Sequence, residues 1–276
     1  MTSSPAAHVL PGHGFVAIDQ ASLTYGDDGT GVLALTDVTM RINRGDFVAV
    51  VGPSGCGKST LLKLVSGLRR PSTGGITVAG KEVTGPLKIV GMAFQNATLL
   101  PWRTAIDNVL LPLEVVQPYR RSFRKDKPAY VERARALFAK VGLKGFEDHF
   151  PWQLSGGMQQ RVSICRALIH EPELLLLDEP FGALDTFTRE ELWETLQALW
   201  LEQKFTCILV THDLQEATML ADTVHVITSR PGRIAWSRQN PLPRPRRLDD
   251  RYTPEFNDLV HELRSKIGDA REGRLT

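Results

Sequence analysis

Short apolar runs broken by polar pairs occupy residues 15–42 as FVAI, LTY and VTMRI, a pattern that predicts strands. GDDGTG (26–31) between them predicts a turn. Residues 46–51 (DFVAVV) predict a further apolar strand, and LLKLVSGL (61–68) has the apolar spacing of a helix. Residues 72–95 return to short strands around Gly74, Gly75, Gly80 and Gly91. From Asn96 to about Arg166 the pattern is helical, with a helix expected over Pro128–Val141 from Val131, Ala134, Leu137, Phe138 and Val141. Alternation then resumes: LLLLDEP, a helix around 188–203, TCILVTH, a helix around 213–221, and TVHVITS. Alternating strands and helices imply a largely parallel three-layer α/β core, with the helical block of about 96–166 inserted into it.

The flanks differ. Residues 1–14 read as a disordered tail in which His8 and His13 are incidental. Residues 238–251 (RQNPLPRPRRLDDR) read as an extended linker with solvated arginines, and contact with anionic lipid headgroups is a second reading. Beyond it, Phe256, Leu259, Val260, Leu263 and Ile267 share one helical face, which docks either on its own domain or on a partner.

Composition narrows the class. The 276 residues are 42% hydrophobic and 23% charged, ordinary for a soluble globular chain. A net charge of +2 gives no support to a nucleic-acid binder driven by bulk charge. Cys56, Cys165 and Cys207 show no metal-ligand spacing and are expected to be free thiols. The start lacks a basic and apolar leader, and no run of about 18 apolar residues is present to span a membrane.

The chemistry sits in three places. Gly52-Pro53-Ser54-Gly55-Cys56-Gly57-Lys58-Ser59 fills every fixed position of GxxxxGK[ST], after an apolar strand and before a helix that Thr60 continues. Glycines let such a loop wrap so that its amides face phosphate oxygens, and the helix start adds its positive end. Lys58 then reaches the β- and γ-phosphates of ATP, and Ser59 ligates Mg²⁺. Asp178 and Glu179 end an apolar strand, where ligands of open α/β sheets bind. Asp178 suits Mg²⁺, and Glu179 suits the orientation or deprotonation of an attacking water. The third place is Leu154-Ser155-Gly156-Gly157-Met158-Gln159-Gln160-Arg161, whose serine and glycines open a helix and form a second anion site.

That third segment resembles the LSGGQ signature of ABC ATPases. The resemblance covers about residues 15–235, and what it implies is as follows. The fold is an α/β P-loop NTPase (RecA-like) core with an antiparallel β subdomain and an inserted α-helical subdomain. Tyr25 stacks on adenine, although a core aromatic remains an alternative for it. Gln95 senses Mg²⁺ and the attacking water. Gly182 to Asp185 form the loop that contacts the partner's nucleotide, and His212 contacts the γ-phosphate. Asp213 and Glu216 form a structural capping box. Two copies of the chain pair head to tail on a separate membrane permease, supplied by a periplasmic binding protein, at the cytoplasmic face of the inner membrane. Residues 94–109 and 229–234 are similar to importers of nitrate, taurine and aliphatic sulfonates; bicarbonate, pyrimidine precursors and aromatic acids are alternative cargoes.

Other classes fit less well. DNA-repair ABC ATPases carry a very long coiled coil before the signature, and translation factors carry two cassettes. A P-loop kinase leaves LSGGMQQ and His212 without a role. ABC exporters usually fuse the membrane domain. The run Leu99-Leu100-Pro101-Trp102 beside Gln95 is either a permease-docking segment or a locally buried loop.

Overall fold

The computed structural model describes residues 14–26, 31–182 and 184–275. The expected tail with His8 and His13, and most of the expected 26–31 turn, lie outside them. Ten strands and seven α-helices are found among the described residues. In chain order they are β1 Val16–Tyr25, β2 Val32–Ile42, β3 Phe47–Val51, α1 Lys58–Val65, β4 Thr73–Val78, β5 Lys81–Glu82, β6 Val90–Ala93, α2 Ala105–Val115, α3 Tyr119–Lys140, α4 Gly156–Leu168, β7 Leu174–Asp178, α5 Thr186–Gln203, β8 Thr206–Thr211, α6 Leu214–Leu220, β9 Thr223–Ile227, β10 Ile234–Gln239 and α7 Pro254–Arg271. The fold is α/β.

The strands form two sheets. β2-β1-β4-β5 is antiparallel, and β10-β9-β3-β8-β7-β6 is parallel except for the edge pair β10–β9. The parallel strands are apolar throughout because both faces are covered. Val48, Val50, Leu174, Leu176, Ile208 and Val210 face a cluster shared with α1 and the antiparallel sheet. Their neighbours Ala49, Val51, Leu175, Leu177, Cys207 and Leu209 face the cluster that holds α2 to α7. β10 has no counterpart in the sequence reading, which ends its strands at TVHVITS.

Two helices depart from expectation. α3 begins at Tyr119, nine residues before Pro128, which lies inside it. An interior proline costs a helix one hydrogen bond. Packing offsets that here: Phe123 stacks on Tyr130 with centroids 6.0 Å apart, and both pack on the main core. At α6 the expected capping box is half present. Asp213 caps Gln215 and Glu216 through its Oδ1, but the Glu216 side chain turns inward to accept from Thr211 Oγ1 at 3.0 Å.

The 238–251 segment overturns the solvated-linker reading. Arg246 is 2% exposed. Its guanidinium donates to the carbonyls of Thr218 (3.2 Å), Met219 (3.2 Å) and Ala221 (2.8 Å). Those carbonyls belong to the last turn of α6 and have no partner within the helix. Its backbone exchanges hydrogen bonds with the Gln197 side chain of α5. Arg244 pairs with Asp222 at 2.6 Å and lies over the Trp200 ring at 4.2 Å. Burial pulls the Arg246 guanidinium down to about 10, so it remains charged at neutral pH. Phe256, Leu259, Leu263 and Ala270 of α7 are buried in the main core, so that helix docks on its own chain. Arg246→Ala strands the Met219 carbonyl, while Asn240 still donates to those of Thr218 and Ala221, and should lower stability by about 1–3 kcal/mol. Lysine should not rescue it, because one ammonium cannot reproduce the guanidinium fork. Urea unfolding of both variants measures this.

Candidate active site

β3 ends at Val51 and α1 begins at Lys58. Between them the chain turns so tightly that side chains have no room at Gly52 and Gly57. A Cβ on Gly57, whose φ is +105°, would meet Leu35 Cδ2 at 2.7 Å and the Ala34 carbonyl at 2.9 Å. One on Gly52 would meet the Ile227 carbonyl at 2.8 Å. Gly57 caps α1 without a side-chain hydrogen bond, which leaves the first-turn amides to an anion. Lys58 is 5% exposed and donates to the carbonyls of Gly52 (3.0 Å) and Pro53 (2.9 Å). Cys56 is 1% exposed and points into the core beneath the loop, so only its backbone can face a phosphate. Burial pushes its thiol up.

Register brings the other groups here. Val51 lies opposite Thr211, and Asp178 opposite Val210, so β3, β7 and β8 end level with one another. The loops leaving their carboxyl ends therefore meet, as in other open α/β sheets. Ser59 Oγ donates to Asp178 Oδ1 at 2.8 Å. Burial raises the Asp178 carboxyl; the Ser59 hydrogen bond opposes this and the Glu179 charge adds to it. Glu179 has φ +45°, a left-handed conformation that costs a non-glycine residue on the order of 1 kcal/mol. Its amide donates to the Val210 carbonyl at 2.8 Å, which holds that turn. Its carboxylate is the hub of the site. Oε1 lies 3.7 Å from Lys58 Nζ, and Oε2 lies 3.1 Å from His212 Nδ1 and 3.5 Å from Gln95 Nε2.

An open cleft of about 440 Å³ runs over these groups, lined among others by Tyr25, Ser54, Lys58, Ser59, Gln95 and Glu179. The Tyr25 ring packs on the core, lines the cleft, and shares a hydrogen bond with Thr60 Oγ1 at 3.2 Å. The sequence reading missed Arg230, which lines the same cleft and donates to the Gly55 carbonyl at 3.1 Å. Its signal was positional, since it follows β9, the parallel neighbour of β3.

Four expected residues stand apart from the cleft. Ser155 caps α4 by accepting from the Met158 amide at 3.2 Å, and Gly156 and Gly157 open that helix. Asp185 caps α5 through the Thr188 amide at 3.0 Å, a bond that holds its carboxyl below the usual range. The two helix starts touch each other, since a Cβ on Gly157 would meet Thr188 Cγ2 at 3.0 Å. None of the four lines the cleft over Lys58.

A polyphosphate suits the uncapped amides and the buried ammonium, and a carboxylate beside them suits hydrolysis; fold and site are those of a P-loop ATPase. Comparison with known proteins narrows this. The family model for ABC transporters matches residues 35–182. A taurine import ATP-binding protein of Yersinia pestis is 47% identical over 204 residues, 74% of this chain and 77% of its own. An aliphatic sulfonates import ATP-binding protein of Bacillus licheniformis is 43% identical over 248 residues, 90% of this chain and 91% of its own. A solved dimeric ATP-binding cassette, in a post-hydrolysis state with ADP and Pi, superposes with a TM-score of 0.70 at 31% identity, covering 83% of this chain and 100% of that one. The chain belongs to the ABC transporter family, as an ATP-binding and ATP-hydrolysing cassette.

Proposed function

We propose that this chain is the ATPase subunit of an importer, and that Glu179 is the group that activates water. The observation that carries the reading is the position of the Glu179 carboxylate, between Lys58 Nζ at 3.7 Å, His212 Nδ1 at 3.1 Å and Gln95 Nε2 at 3.5 Å. A base must lie within reach of the proton that it takes. Glu179 lines the cleft where the amides of Gly52 to Ser59 and the Lys58 ammonium would receive the triphosphate. Tyr25 takes the adenine, and His212 orients the γ-phosphate.

Mg²⁺ fits the donor set. Ser59, Asp178 and Gln95 offer hard oxygen atoms, and the first two already share a 2.8 Å contact. No cluster of three or more His, Cys, Asp or Glu that could hold a metal occurs among the described residues, which suits an ion carried in by the nucleotide. When bound, the ion neutralises phosphate charge.

The working unit is a head-to-tail pair. Ser155, Gly156, Gly157 and Asp185 then serve the nucleotide of the partner, since none lines the cleft of its own chain. Exposed Trp152 and Phe187 flank these two loops and suit a covered surface.

No helix among the described residues is long and apolar enough to cross a membrane. The relatives are import ATP-binding proteins, which supports a pore provided by a separate permease. The segment 97–103 is its docking site. Leu99 and Leu100 are partly buried, whereas Trp102 is 70% exposed and available to a partner. Asn108 fixes the backbone of Leu100 and Arg103, and Arg166 fixes Ala97 and Thr98, so the segment is rigid enough to transmit force. An apolar groove of Met92, Phe94, Leu111 and Val115 adjoins it. The cargo is a small anion, a sulfonate, taurine or nitrate, delivered by a periplasmic binding protein. Cysteines placed along 97–103 should crosslink to permease loops in the reconstituted complex. The native Cys56, Cys165 and Cys207 are buried and should stay silent. Crosslinks only elsewhere on the surface would contradict the docking site.

A further inference from the structure

Behind the Glu179–His212 pair lies a small, partly open space of about 30 Å³, lined by Glu179, Phe181, Gly182, Arg189, Thr211, His212, Asp213 and Glu216. Two polar atoms of its lining residues, Glu216 Oε1 and Arg189 Nε, have no hydrogen-bond partner among the described residues. The space is large enough for one water, and buried polar atoms of this kind are what such waters serve. The remaining bonds are made. Thr211 Oγ1 donates to Glu216 Oε2 at 3.0 Å and accepts from the Asp213 amide at 3.0 Å. Arg189 donates to Asp213 Oδ2 at 3.2 Å and to the Leu184 carbonyl at 2.9 Å. The cluster thus ties the turn that carries His212 to the loop between Glu179 and Asp185.

We propose that Glu216 is a positioning residue for hydrolysis, acting as a neutral carboxylic acid that shares one buried water with Arg189 and so fixes the His212 turn against the Glu179 loop. The acid form follows from the surroundings. Glu216 is 2% exposed. Asp213 and His212 from its own turn, Arg189 from α5 and Glu179 from the end of β7 surround it, so one cation faces two carboxylates. Burial and the Asp213 charge push its carboxyl well above the usual range. As an acid, Oε2 accepts from Thr211 while the other oxygen donates to the water, which also accepts from Arg189 Nε.

The inference rests on the assignment of Glu179 and His212 to hydrolysis, and the test separates the two. Glu216→Ala should lose about tenfold or more in kcat with little change in ATP affinity, the scale for an orphaned buried network. Glu216→Gln should rescue it, because the amide offers a carbonyl oxygen to accept from Thr211 and an N–H to donate to the water. Glu216→Asp, shorter by one methylene, should not. The raised acid also sets a sign. Stability linked to it is complete below the unfolded value of about 4.3 and falls as pH rises toward the folded value, because the folded state holds the extra proton. The wild type should therefore lose stability as pH rises above about 4.3, and activity as pH passes the folded value, and Glu216→Gln should flatten both dependences. Failure of Gln to rescue, or an unchanged pH profile in the Gln variant, overturns the proposal. Normal hydrolysis by Glu179→Gln would instead overturn the underlying assignment. Melting temperatures across pH 5–9, measured without nucleotide, stand apart from either.

Discussion

Glu179→Gln should bind ATP normally and hydrolyse it at least about 100-fold more slowly, the scale for loss of a general base. The glutamine keeps the volume, its carbonyl oxygen can still accept a hydrogen bond, and the backbone bond from its amide to the Val210 carbonyl is untouched. What it loses is the ability to take a proton. Lys58→Ala should fail differently, with turnover abolished and the fold intact by circular dichroism. Its ammonium bonds only to the carbonyls of Gly52 and Pro53 and lies near Glu179, all within the site. Equilibrium nucleotide titration with single-turnover phosphate release distinguishes the two. A Glu179→Gln chain that cannot bind ATP, or that hydrolyses at the normal rate, removes Glu179 from the catalytic role.

Mixing Lys58→Ala chains with Ser155→Arg chains should restore activity that neither has alone. Ser155 is exposed at its helix start, so arginine there blocks a surface without disturbing the core. In a mixed pair one composite site carries both lesions and the other carries none. Random pairing makes half of the pairs mixed, each with one intact site, so roughly a quarter of the wild-type sites return. Specific activity of the wild type should also rise with protein concentration. Activity per chain that stays flat across a wide dilution series, in a protein that remains monomeric with ATP, refutes the pairing.

The parallel strands were legible because they are buried on both faces: Leu174–Leu177 cannot be solvated, and its length suits a strand. The groups at the cleft floor were legible because a tight phosphate loop needs glycines and a lysine next to one another in the chain. Other features carry no such mark. The partners of Arg246 are backbone carbonyls of Thr218, Met219 and Ala221, and a carbonyl looks the same in every sequence. A proline- and arginine-rich stretch therefore read as solvated when it is packed. The spacing Asp213-x-x-Glu216 matched a capping box, yet burial of the α6 face turned the glutamate inward. Arg230 joins the site only through the order β9-β3 in the sheet, which spacing along the chain does not encode.

The arginine clamp bears on the order of events at the ribosome. Every strand that shapes the nucleotide cleft precedes residue 230, yet the last turn of α6 takes its hydrogen-bond partners from Asn240, Arg244 and Arg246 beyond it. A nascent chain halted before residue 240 leaves the α6 carbonyls to water and lacks the guanidinium that covers one face of the Trp200 ring. Translation thus runs past the catalytic residues before the segment that braces α5 and α6 is made, and a cassette trimmed to its motifs should be less stable than the full chain.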